Sequence, residues 1–234
     1  MFNRILILTL ISTLFLNADD LKIAAGAGYK KVVLKVIKEY EKDGKNIDGF
    51  FGNMRQVSTQ VKQTDIALII GDKNFLLNKS GLDIKEYSSV GKGKVVIAYP
   101  KGKTLTSSKD LLKKEIKKIA MPQPKKAIYG IAGLEFLKNE ELYKNVEDKL
   151  YVVATVPQSL TYVLTKEVDA SIINLTAALE NKDKIGGYIE VNPNSYSPIE
   201  IIAAKTSSCE KECEEFLEFL QTPKAKEIFK AYGL

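Results

Sequence analysis

The sequence predicts an α/β fold with mostly parallel sheets flanked by helices. Three observations carry this. Short apolar runs of strand length alternate with segments of helical period along the whole chain. Some runs, such as Ile66-Ala67-Leu68-Ile69-Ile70, are apolar at every position, as burial on both faces of a sheet requires. Strand-to-helix turns are built from small residues, Gly26-Ala27-Gly28 being the first. The chain has 234 residues, enough for one or two domains. Its 45% hydrophobic content supplies a sizeable core and sets it apart from disordered chains.

Residues 1–18 read as a leader. Arg4 gives a short positive region, Ile5 to Leu16 an apolar run, and Asn17-Ala18 a small-residue cut site. The run is too short to span a bilayer comfortably. No Cys follows it, so a lipid anchor is not supported. Cleavage near Ala18 would leave an exported, periplasmic protein.

Leu21 to Ala25 is the first strand. After the glycine turn, Val32, Val33, Val36, Ile37 and Tyr40 fall at helical spacing, and Gly44 ends that helix. Ile47 to Phe51 is a second strand, Gly52-Asn53-Met54 a second turn, and Val57 and Val61 mark a second helix. Asp65 to Ile70 is a third strand, closed by Gly71-Asp72. Strands follow at Val95–Tyr99, Ile119–Met121, Leu150–Ala154, Ala170–Ile173 and Ile199–Ala203. Helices are expected at the basic segment Leu111–Lys118, at Tyr129–Asn139 and at Ser159–Lys166. Two more follow Glu210, broken by Gln221-Thr222-Pro223.

Composition narrows the function. The chain has no His, which removes the usual general base near neutral pH and the commonest metal ligand. Asp65, Asp72 and Asp169 stand near strand ends and read as caps and turn residues, so no enzyme and no cofactor is expected. Lys and Arg number 35 against 29 Asp and Glu, a net +6 without a nucleic-acid-binding motif. The lysines read as solvated faces. Cys209 and Cys213 lie four apart, which on a helix puts their Cα atoms about 6 Å apart. A local disulfide at a helix start is expected, in keeping with export.

Four turns share one property. Gly26-Ala27-Gly28, Gly52-Asn53-Met54, Ala127-Ile128-Tyr129 and Thr155-Val156-Pro157 sit where strands hand over to helices. Helix N-termini leave backbone N–H groups without intrahelical partners and carry partial positive charge. Several of them converging on one cleft would hold an anion without a free metal ion or a cationic side chain.

At this point the sequence resembles the periplasmic molybdate-binding proteins of ABC transporters. The resemblance rests on IAAGAGYKKVVLKVIKEYEK at residues 23–42, FGNMRQVSTQV at 51–61, IYGIAGLEFL at 128–137 and FLEFLQTPKAKEIFKAYGL at 216–234. It implies a two-lobed periplasmic-binding-protein fold, each lobe a mostly parallel sheet flanked by helices, joined by two crossover strands. Residues 19–94 with 199–234 would form the first lobe and 95–198 the second. The crossovers would fall near Gly93 to Tyr99 and near Ser197 to Ala203.

The resemblance also implies a tetrahedral oxyanion, molybdate or tungstate, clamped between lobes and passed by a monomer to a permease in the inner membrane. The family's three contacting hydroxyls would align with Gly28, Met54 and Asn174, none of which has one. Backbone N–H groups at Gly28, Met54, Tyr129 and Val156 remain as donors, with Tyr29, Asn53 and Asn174 as replacements for the hydroxyls. The lining is expected to be donor-only. A different small anion, sulfate or an organic acid, is the alternative that the three substitutions raise.

Overall fold

The computed structural model describes residues 20–234, so the leader and its cut site lie outside the described residues. Two five-stranded sheets form the frame. The first runs in the order β2 (Ile47–Gly52), β1 (Leu21–Gly26), β3 (Leu68–Asp72), β10 (Ile199–Lys205) and β4 (Tyr87–Gly93). The second runs β7 (Leu150–Val153), β6 (Ile119–Pro122), β8 (Ala170–Asn174), β5 (Val95–Tyr99) and β9 (Gly187–Glu190). Three strands in each sheet pair in parallel, β2-β1-β3 and β7-β6-β8. The strands entered from the other lobe, β10 and β5, pair antiparallel with both neighbours. The chain leaves the first sheet at Gly93, enters the second at Val95, and returns between Glu190 and Ile199. This is the two-lobed fold that the resemblance implied.

Alternation along the inner strands builds a core on each face of the first sheet. Ile23, Ala25, Leu68, Ile70, Ile201 and Ala203 join the main core. Ala24, Ile69, Ile202 and Ala204 point the other way and meet Val57 and Val61 of α2 (Met54–Val61) and Leu76 of α3 (Lys73–Asn78). On the opposite side, Tyr40 at the end of α1 (Lys30–Tyr40) packs its ring 5.0 Å from Phe216 of α8 (Lys211–Leu220) and 5.1 Å from Phe219. The final helix, α9 (Pro223–Ala231), starts behind Thr222, whose hydroxyl accepts from Ala225 N. In the second lobe, α4 (Ile128–Asn139) lies close on its sheet: a Cβ at Gly133 would sit 2.7 Å from Ile172.

The Cys209–Cys213 disulfide is formed, with the two Cα atoms 5.3 Å apart, and it anchors the chain just before α8. The three aspartates near strand ends serve local structure. Asp65 pairs with Lys22 at 2.7 Å, Asp72 accepts from Phe75 N to cap α3, and Asp169 accepts from the backbone N–H groups of Lys117 and Lys118.

Two departures from the sequence reading have clear causes. The expected helix at Leu111–Lys118 does not form; residues 108–112 make one 3-10 turn and an irregular segment follows. The Asp110 carboxylate accepts from the backbone N–H groups of Thr106 and Ser107 and so caps the start of the turn, which goes no further. The Lys149 ammonium donates to the Leu111 and Lys113 carbonyls, taking acceptors that a helix would have used. Strands β4 and β9, one edge of each sheet, do not stand out in the sequence. Their exposure alternates or is intermediate throughout, so neither carries an apolar run.

Candidate functional site

A cleft of about 210 Å³ opens between the lobes at the C-terminal ends of the parallel strands. That is where open α/β sheets place ligands, because the strand ends diverge there and helix N-termini face inward. The first lobe contributes the β1 turn (Gly26 to Tyr29), the β2 turn (Gly52 to Met54), and Asp72, Asn74, Phe75 and Lys79 around α3. The second contributes Lys126 to Tyr129 at the start of α4 and Ala154 to Pro157 at the start of α6 (Val156–Leu164). Ser197, Pro198 and Ile199 on the returning chain complete the wall.

The termini are capped by their own sequence. Asn53 takes Arg55 N at 2.9 Å through its Oδ1, which leaves its amide N–H₂ unspent on the helix. Thr155 takes Gln158 N at 3.3 Å. By helix geometry the N–H groups of the first turns remain without intrahelical carbonyl partners. Glycine makes the approach possible: a Cβ at Gly71 would lie 2.5 Å from the Met54 Cε, and one at Gly26 3.2 Å from its sulfur. The Met54 side chain therefore fills the gap between two strand ends and brings a thioether where the resemblance implied a hydroxyl.

Tyr29 and Tyr129 meet across the cleft. Their hydroxyls are 2.7 Å apart and both rings are buried. Burial is the main cause that holds both phenols well above their ordinary pKa, so both stay protonated. One O–H is used within the pair and one remains to donate elsewhere. Hydroxyl-bearing residues thus do line the cleft, at Tyr29, Tyr129, Thr155 and Ser197 rather than at the three aligned positions.

Six of the seven sequence-predicted residues, Gly28, Tyr29, Asn53, Met54, Tyr129 and Val156, line this cleft together. Asn174 is fully buried beside it and is not part of the lining. Its Oδ1 accepts from Ala177 N to cap α7 (Leu175–Glu180), and its Nδ2 donates to the Gly28 carbonyl at 3.2 Å. Asn174 is therefore a tie between lobes. A second tie joins Lys31 of α1 to Glu180 of α7, 3.8 Å apart.

The donor-only lining does not hold, because two carboxylates reach the cleft. Asp72 is 3% exposed, and burial is the largest influence on it, raising its pKa. Glu135 accepts from Ser197 N at 2.7 Å. Sequence reading had Asp72 as a cap, which it is, but only the tertiary fold turns that strand end toward the other lobe. Lys79 and Lys126 were missed altogether, since neither lies in a turn that stands out by composition. Among the described residues no group of three or more His, Cys, Asp or Glu is placed to hold a metal ion, and no helix is long and apolar enough to cross a membrane.

The family model of the bacterial extracellular solute-binding proteins matches residues 21–234. The chain belongs to that family. It is a solute-binding protein of ABC transporters. A putative ABC transporter substrate-binding lipoprotein of Bacillus subtilis is 30% identical over 224 residues, covering 91% of this chain and 85% of the relative. A molybdate-binding protein of Rhodobacter capsulatus is 28% identical over 126 residues, covering 53% of this chain and 49% of the relative. The structure of the Azotobacter vinelandii periplasmic molybdate-binding protein superposes with a TM-score of 0.81 at 22% identity, covering 92% of this chain and 98% of that one. The solute-binding protein is thus matched in fold over nearly its whole described length.

Proposed function

We propose that this solute-binding protein captures a small tetrahedral oxyanion between its lobes and delivers it to an ABC transporter permease. The observation that carries the reading is the convergence of helix starts from both lobes, at Gly28, Met54, Tyr129 and Val156, on one cleft. Backbone N–H groups at those four positions, the Tyr29 hydroxyl and the Asn53 amide would supply the donors, and Asn174 would act by holding the lobes together. Export would follow cleavage near Ala18, with residues 19–94 and 199–234 moving against 95–198 as a monomer closes. Molybdate and tungstate come first, on the kinship to molybdate-binding proteins.

A second reading is a different small anion, sulfate or an organic acid. Gly28 and Met54 in place of hydroxyls favour it, and Asp72 on the cleft wall favours the organic acid in particular, because a carboxylate opposes a fully deprotonated dianion, sulfate and molybdate alike. Calorimetric titration with molybdate, tungstate, sulfate and phosphate tests the proposal. At least one should bind with micromolar or tighter affinity; failure of every oxyanion and organic anion tried would overturn it.

A further inference from the structure

The cleft is larger than its helix-terminus end requires. Allowing each oxygen a full water's share of about 30 Å³, a four-oxygen anion fills about 120 Å³. The cleft holds about 210 Å³, so space for roughly three more heavy atoms remains. Phe75, Ile131, Pro198 and Ile199 give the cleft apolar walls besides its helix starts. Lys79, just after α3 in the first lobe, and Lys126, just before α4 in the second, also line it. Lys79 lies near enough to Asp72 to lower that carboxyl's pKa, and neither ammonium takes part in an ion pair among the described residues. These two face the cleft from opposite lobes.

A bare inorganic oxyanion on the helix termini would leave the apolar walls wet and both ammonium groups without an ion-pair partner. We infer that the ligand is a short two-ended organic anion. A tetrahedral phosphonyl, phosphoryl or sulfonyl group occupies the helix N-termini, a linker of one or two carbons lies against the apolar walls, and a carboxylate sits between Lys79 and Lys126. Closure of the lobes brings the two lysines to the same end of the ligand, so the second charge rewards the closed form. This rests on the oxyanion reading above and narrows it to organic members of that class.

Calorimetry with three probes tests it: phosphonoacetate, which has both ends; methylphosphonate, which lacks the carboxylate; and molybdate, the bare oxyanion. Phosphonoacetate should bind at least tenfold tighter than either of the others. In Lys126→Gln the ratio of phosphonoacetate to methylphosphonate affinity should fall at least fivefold, and Lys79→Gln should lower it in the same direction. General loss of positive charge would weaken both ligands alike and leave the ratio unchanged. Equal affinity of the two phosphonates in the unaltered protein, or tighter binding of molybdate, would overturn the two-ended ligand and leave the oxyanion reading standing. Binding of none of the three, nor of sulfate, phosphate or tungstate, would defeat both.

Discussion

Replacing Glu180 by Gln should stabilise the protein at and above neutral pH. The side chain is 8% exposed, its Oε1 is buried without a hydrogen-bond partner, and its other oxygen is 3.8 Å from the Lys31 ammonium. The ion pair is too long and too exposed on the lysine side to offset the loss of hydration. Burial therefore raises the Glu180 pKa from 4.5 to about 7. At 1.36 kcal/mol per unit, holding the charged form in the fold costs up to about 3 kcal/mol, and solvent reaching Lys31 brings that nearer 1–2 kcal/mol.

The sign follows from linkage. The folded state keeps a proton on Glu180 that the unfolded chain releases, so its favourable contribution is full below about pH 4.5 and is lost as pH rises through about 7. Gln carries no charge, so the variant should lose this part of the pH dependence. Urea denaturation of both proteins between pH 4 and 8.5 measures it. The two stabilities should differ little near pH 4.5 and separate by about 1–2 kcal/mol above pH 7, with Gln higher. Curves that stay parallel across the range would refute the argument that burial controls this group.

Other expectations can be checked with the same denaturation assay. Asn174→Ala removes the α7 cap and the bond to the Gly28 carbonyl, and should cost about 1–2 kcal/mol in stability. The same variant should weaken anion affinity at least tenfold in calorimetry, through the lobe contact; unchanged affinity would show that the tie does not matter for capture. Tyr29→Phe should cost about 1 kcal/mol by leaving the Tyr129 hydroxyl without its partner, and the Tyr129→Phe change should then add little to it. Phe136→Ala empties a fully buried site in the second lobe and should cost about 3–5 kcal/mol. Reduction of Cys209–Cys213 opens a loop with sequence separation 4, so the loss should be about 2 kcal/mol.

Local chemistry determined much of this protein before any tertiary contact. Runs such as Leu68 to Ile70 and Val95 to Ala98 are strands because apolar residues at every position can be buried only in a sheet covered on both faces. Turn composition marked the helix starts at Gly28, Met54, Tyr129 and Val156, and Cys spacing marked the disulfide. Features that depend on neighbours far along the chain were not legible. Strands β4 and β9 are held by pairing with a distant strand and carry no buried apolar run of their own. The 111–118 segment has helical composition, but Lys149, distant in sequence, takes its Leu111 and Lys113 carbonyls.

The site divides in the same way. Backbone donors at a turn are local and were readable. Which side chains fill the space between lobes was not. Gly28 and Asn174 are 146 residues apart and bond to each other, while Tyr29 and Tyr129 are 100 apart and joined by a hydrogen bond. Asp72, Lys79 and Lys126 acquire a role only because two separate sheets turn their strand ends toward one volume. A sequence specifies local donors through short-range geometry. The shape, size and charge of the space they face come from packing two lobes together, and that is a property of the folded chain.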